Sequence, residues 1–433
     1  MADDSIHIGI DVGTSAVRAI AINASGQRLA MRQTPLPSTG IQDQAGASPH
    51  SWWQTLTTTL QALTADIDSL RVRAIAVDAT SSTLLLANSA GEPLGPALMY
   101  NDARAIEESH MIARVAPADC AAHGPGASLA KALWLLRHIG QTPATEPHYL
   151  LHQADWLSGR LTNDYGHSDE NNALKLGYDV VNRQWPDWLA ELSAEIMPLL
   201  PTVQRPGTPT GSLSPDVAKI LGLPAETLIM AGTTDSVASF MAATANAPTA
   251  PGDAVSSLGS TLVLKLISEK PVFAPEYGIY SHRLGDQWLA GGASNSGGNV
   301  LAHCFSNEQL AAMTPHLHPA TPTPLQYYPL VQAGERFPIN DPTLAPRLSP
   351  RPDSDVEFFQ GILEGIAAIE ARGYELLQDL GAPALRSVRS TGGGAGNRAW
   401  QAIRQQRLGV PVIAATDEDA AYGSALLARQ GDL

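Results

Sequence analysis

Three aspartates stand where an enzyme could use them. Asp11 closes the apolar run that starts at Ile6 and is followed by Val12-Gly13-Thr14-Ser15. Asp78 closes Arg73-Ala-Ile-Ala-Val, and Asp235 follows Gly232-Thr233-Thr234. A carboxylate just after a strand and at the start of a helix has two uses. It can cap the helix, or it can serve as a general base toward a bound hydroxyl. Both uses stand for Asp235. The turn Ala79-Thr80-Ser81-Ser82-Thr83 places hydroxyls next to Asp78. Ser81 there is either plain turn chemistry or a hydrogen-bonding group for a polar substrate.

Glycine-hydroxyl tips form a second kind of site. Gly13, Thr14 and Ser15 lie between two β-type runs, as Leu258-Gly259-Ser260-Thr261 does later in the chain. Gly13 either takes a positive φ or lets another group come close to the backbone. Backbone N–H groups and hydroxyls at such tips can bind phosphate oxygens without a lysine. A third glycine-rich run, Thr391-Gly392-Gly393-Gly394-Ala395-Gly396-Asn397, lies between a short strand and a helix, with Trp400 just after it. Glycines there admit a flat ring, and Asn397 could bond it. No Gly-x-x-x-x-Gly-Lys-Ser/Thr loop occurs, nor a Gly-x-Gly-x-x-Gly dinucleotide fingerprint.

These residues need elements to hold them. The patterning predicts strands over 6–10 and 17–22, and a helix from Pro49 capped by Ser48. It predicts a strand over 73–78 with Leu84–Ala87 as its partner. Residues 106–200 read as mainly helical, with helices over 128–138 and 153–161. A strand over 228–232 leads into an Ala-rich helix opened by Asp235. Residues 246–252 read as a linker, 319–352 as irregular, and 358–380 as a long helix ended by Gly381. A strand over 411–414 and a helix over 419–429 close the chain. The repeated strand-turn-strand unit, one in each half, points to a duplicated domain.

Other signals carry less. His148 and His152 are four apart but lack a third ligand for zinc. Trp52-Trp53 reads as a core anchor, and His316-x-His318 as loop. Asn101-Asp102-Ala103-Arg104 either touches a polar substrate or caps and salt-bridges the next helix.

With 433 residues, two domains are expected. The net charge of −15 argues against nucleic acid and anionic membrane as main partners. Cys120 and Cys304 make no disulfide framework. No stretch is long and apolar enough for a membrane span, and the acidic N-terminus lacks a basic leader. A cytoplasmic protein is expected, with a homodimer as an open assembly.

Together these segments resemble the FGGY carbohydrate kinases of the actin-like, ribonuclease-H-like ATPase superfamily. Asp11-Val-Gly-Thr14-Ser15 resembles the family's first phosphate motif and Leu258-Gly-Ser-Thr261 its second. Gly232-Thr-Thr-Asp235 resembles the segment with its catalytic aspartate, and Thr391 to Trp400 its adenosine motif. Gly126-x-Ser128-x-x-Lys131-x-x-Trp134 fits a family signature, with Ala132 at a place where a larger apolar residue is usual. Gly361-Ile-Leu363-Glu-Gly365-Ile366 fits the start of another.

The resemblance implies two α/β domains of ribonuclease-H-like topology, residues 1–245 and 246–433, with a cleft between them. The last helix is expected to pack back on the first domain. It implies ATP and Mg²⁺, with phosphates on Gly13, Thr14, Ser15, Gly259 and Ser260. Adenosine would lie on Gly393, Gly394, Asn397 and Trp400. Asp11 would serve metal and sugar, Ser81 the sugar, and Asp235 the sugar and the proton. The turn at 79–82 departs from the Gln-Met-His-Gly of xylulose kinases and the Asn-Gln-Arg-Glu of glycerol kinases. With Asn172 to Tyr178 it is similar to a ribulose-kinase subgroup, so D-ribulose is the first expected substrate and a xylulose-type sugar the second. An actin-like ATPase or a sugar sensor with weak kinase activity is the alternative of another class.

Overall fold

The computed structural model describes residues 4–37, 48–139, 148–245 and 247–430. They divide into two compact units, Met1–Ala242 with Asp419–Leu433, and Ala243–Glu418. The second unit begins just before the expected linker, and residue 246 of that linker lies outside the described residues.

The first unit is built on a six-stranded sheet. In spatial order its strands are Arg28–Pro35, Ala16–Asn23, Ile6–Val12, Val72–Ala79, Leu228–Thr234 and Pro209–Ser212. Ile6–Val12, Val72–Ala79 and Leu228–Thr234 run parallel side by side. Parallel strands buried on both faces are near-continuous apolar runs, and Ile6–Val12 is buried at every position. The helix Ala420–Gln430 covers this sheet and lies close against Gly9. A Cβ at Gly9 would lie 2.0 Å from the Ala421 carbonyl oxygen. Helix Pro49–Thr64 packs on the same core through Trp52, Leu56, Leu60 and Leu63. Ser48 precedes it without a side-chain capping bond, so Pro49 alone marks the start.

The second unit repeats the scheme. Its sheet order is Tyr280–Leu284, Gln287–Ser294, Leu262–Ser268, Asp253–Leu258, Ser387–Thr391, Val412–Ala414. An antiparallel hairpin followed by two parallel neighbours recurs in both units. The long helix Asp355–Asp379 supplies much of the core, and Gly381 follows it at φ 103°.

One expected pairing fails. Leu84–Ala87 does not pair with the strand at 72–79; it pairs antiparallel with Tyr149–His152 in a separate two-stranded sheet. Its residues are apolar throughout, so the sequence carries no alternation to fix a partner. His152 ends that strand and sits under helix Gln153–Thr162, so His148 and His152 share no helical face. Among the described residues no cluster of His, Cys, Asp or Glu could hold a metal by itself.

Candidate active site

In the first unit the parallel strands bring carboxylates together at their carboxyl ends. Asp11 lies opposite Asp78, and Thr233 lies opposite Asp78 from the other side. Asp235, two residues on, opens helix Asp235–Ala243. Asp78 is fully buried, and Ser424 Oγ donates to its Oδ2 at 2.6 Å. Its carboxyl also shares a hydrogen bond with that of Asp11. Burial above all, then the charges of Asp11 and Asp235, push the Asp78 carboxyl well above the usual carboxylate range. Asp11 is pushed up by burial while its ion pair with Arg18, at 3.0 Å, pulls it down. Asp235 is half-buried, and the Ser236 N–H donates to its Oδ1 at 2.6 Å.

The loop Gly13-Thr14-Ser15 joins the first two strands, closed by Gly13 N–H donating to the Ala16 carbonyl at 3.1 Å. Thr14 and Ser15 are exposed. Gly13 does not have a positive φ, and a Cβ there would meet nothing closer than 3.6 Å. Neither conformation nor internal packing demands glycine at 13, which leaves close approach by an outside group.

The hydroxyl turn is held from two helices. Lys131, buried in helix Ser128–His138, donates to the carbonyls of Ser82 at 2.9 Å, Met99 at 2.7 Å and Tyr100 at 3.3 Å. Ser82 sits at φ 68°, with its buried Oγ unpartnered. Ser81 beside it is half-buried. Gln153 opens the next helix and reaches the same turn, its N–H donating to the Thr83 carbonyl at 3.1 Å. Asp102 and Arg104 pair with each other, and the guanidinium stacks over Trp134. The signature lysine thus holds the backbone of two loops through its Nζ. Sequence reasoning named Lys131 without a role and passed over Gln153. A usable signal existed, because Gln153 stands directly between a strand and a helix, as Asp235 does.

In the second unit the two remaining loops lie side by side. Gly394 N–H donates to the Leu258 carbonyl at 3.2 Å, and the N–H groups of Gly298 and Asn299 donate to the carbonyls of Gly259 and Ser260. Ser260 is exposed. Gly259 resembles Gly13: it has no positive φ, and a Cβ would meet nothing closer than 3.8 Å. At exposed Gly393 a Cβ would meet nothing within 4 Å. Gly394 is different, because a Cβ there would lie 2.3 Å from the Trp400 ring.

Trp400 corrects the sequence expectation. It is 2% exposed, part of the core, and its Nε1 donates to the Leu363 carbonyl at 3.2 Å. Its ring supports the loop from beneath and is not open to a ligand. Asn397 caps helix Arg398–Leu408, its Oδ1 accepting from Trp400 N–H at 3.0 Å. That leaves only its Nδ2, 3.5 Å from Thr314 Oγ1, to face another group. Below both loops lies a buried ion pair. Arg404 donates twice to Glu370, at 2.6 Å each, and once to Ser390, while Ser256 donates to Glu370. Ser256 and Ser390 pair across the parallel strands that carry the two loops.

Comparison with known proteins gives the same outline. Residues 6–242 match the N-terminal domain, and residues 254–429 the C-terminal domain, of the FGGY family of carbohydrate kinases. A xylulose kinase of Escherichia coli (strain K12) is 27% identical over 98% of this chain and 90% of its own. One from Klebsiella pneumoniae is 28% identical over 98% and 89%. The solved xylulose kinase of Rhodospirillum rubrum superposes with a TM-score of 0.85 at 22% identity, covering 99% of this chain and 90% of that one. That structural likeness supports the two-domain α/β fold.

Proposed function

Because the chain belongs to the FGGY family of carbohydrate kinases, which are ATP-dependent phosphotransferases, we propose that its acceptor is a ketopentose, with D-ribulose first. The observation that carries the reading is the line of Asp11, Asp78 and Asp235 at the ends of adjacent parallel strands, beside a turn of small hydroxyl residues. In this reading Asp235 takes the proton from a terminal sugar hydroxyl. The freed oxygen attacks the γ-phosphorus, the bond from that phosphorus to the β,γ-bridging oxygen breaks, and ADP leaves. Gly13, Thr14, Ser15, Gly259 and Ser260 hold phosphates, and the open face of Gly393, with the Gly394 backbone beside it, holds the adenosine. Asp11 and Ser81 orient the sugar.

Mg²⁺ fits the donor set. A magnesium ion keeps several waters and takes one or two carboxylates together with substrate phosphates, and Asp11 offers such a carboxylate. When bound it offsets phosphate charge. Cytoplasmic residence agrees with a chain that has only two cysteines and uses ATP.

D-xylulose is the second reading. It is favoured by relatives named xylulose kinase that match along nearly the whole chain. Coupled ADP release with Mg-ATP over D-ribulose, D-xylulose, glycerol and gluconate decides between them. The highest kcat/KM is expected for D-ribulose. A preference for D-xylulose supports the second reading, and turnover indifferent to every sugar overturns both.

A further inference from the structure

The turn at 80–83 contains a directed relay of hydrogen bonds. Tyr100 N–H donates to Thr83 Oγ1 at 3.0 Å, Thr83 and Thr80 share a 2.6 Å hydroxyl contact, and Thr80 Oγ1 lies 2.8 Å from Gln153 Oε1. The backbone N–H takes one lone pair of Thr83 Oγ1, and the hydroxyl hydrogen of the fully buried Thr83 finds its acceptor on Thr80. Thr83 passes its hydrogen to Thr80, and Thr80 passes its own to the Gln153 carbonyl oxygen. The reversed relay would strand the Thr83 hydrogen in a fully buried site. Gln153 Oε1 is therefore spent, and Nε2 is left with two hydrogens.

Gln153 is fully buried, and Nε2 has no partner. One more buried polar atom in this turn, Ser82 Oγ, is also without a partner. A buried donor left unmade costs about as much as a hydrogen bond lost, so such atoms are normally satisfied. Two of them at one turn, Gln153 Nε2 and Ser82 Oγ, match a ligand rich in hydroxyl and carbonyl oxygens.

We propose that Gln153 is a sugar-specificity residue, its Nε2 donating to an oxygen of the bound ketose. The inference rests on the kinase reading above and adds a donor outside the hydroxyl turn. Thr80 and Thr83 act as positioning residues, since they set which end of the amide faces the sugar. A ketose epimer whose oxygen points away from Nε2 leaves that donor unmet, which is how a neutral amide discriminates strongly.

The test compares wild type, Gln153→Met and Gln153→Glu by coupled ADP release on D-ribulose and D-xylulose, with melting temperatures alongside. Gln153→Glu keeps an oxygen for Thr80 and removes the two-hydrogen donor. The sugar KM is expected to rise about 2- to 12-fold, as for one net hydrogen bond, with the ATP KM within about twofold of wild type. An unchanged sugar KM in a folded variant, or an equal rise in both KM values, overturns the inference. Should both variants fail to fold, a sugar-bound crystal structure of the wild type decides. Nε2 within hydrogen-bond distance of a sugar oxygen supports the inference, and Nε2 bonded only to water or protein overturns it. Absence of any sugar-dependent turnover by the wild type overturns the kinase substrate reading and the inference with it. Sugar-dependent turnover that ignores Gln153 overturns the inference alone.

Discussion

Lys131 Nζ donates to the Ser82 carbonyl at 2.9 Å, tying a helix to the turn that follows Asp78. The same Nζ holds the Met99 and Tyr100 carbonyls, so one side chain sets two loops. Lys131→Met leaves these carbonyls without that donor, at about 1–3 kcal/mol for each that stays unsatisfied. A lower melting temperature is expected, with a sugar KM that rises more than the ATP KM. Steady-state kinetics and thermal melting on one preparation check both.

Lys131 also gives a pH dependence. Burial pushes its ammonium down from 10.5 to about 7, against the weaker pull of Asp102. Between these values the unfolded chain binds the proton and the folded chain does not. The folded state is therefore increasingly favoured at this site as pH rises from 7 to 10. The unfolding free energy of wild type minus that of Lys131→Met should grow over this range. Denaturant melts at pH 7 and pH 9 measure it, and a gap that shrinks would contradict the assignment.

Two neighbouring glycines separate ligand space from packing space. Gly393→Val should fold with a near-normal melting point, because a Cβ there meets no atom within 4 Å. It should lose the rise in melting temperature caused by Mg-ATP, since a ligand bound only to the native state raises stability. Gly394→Val should fail at the earlier step, by driving into Trp400. An unchanged ATP-dependent shift in Gly393→Val removes the loop from the nucleotide site.

Asp235→Asn distinguishes base from helix cap. Asn can keep the 2.6 Å bond from Ser236 N–H and is a good residue at a helix start, so melting should barely change. It cannot accept a proton at neutral pH. A kcat loss of about 10² to 10⁴ is expected, with ATP binding retained. Near wild-type kcat would leave Asp235 as a cap.

Arg404→Met should cost about 3–5 kcal/mol, because it leaves the Glu370 carboxylate buried and unpaired. Replacing both residues by Met should recover much of that loss. Denaturant unfolding of the single and double variants compares them.

The sequence by itself determined the elements that are written locally. Turn residues at Gly13 and Gly259, apolar runs ending in Asp11 and Asp78, and the strand before Asp235 all depend on neighbours a few positions away. The repeated strand-turn-strand unit and the family followed from the same local signals. Tertiary structure decided everything that depends on partners distant in the chain. Leu84–Ala87 took a strand 65 residues on in place of the expected one, because a short apolar run carries no mark of its partner. Trp400 went into the core and Lys131 onto three carbonyls, since burial is a property of packing and not of residue type. The orphaned donor of Gln153 became visible only once Thr80, 73 positions away, had used up its oxygen.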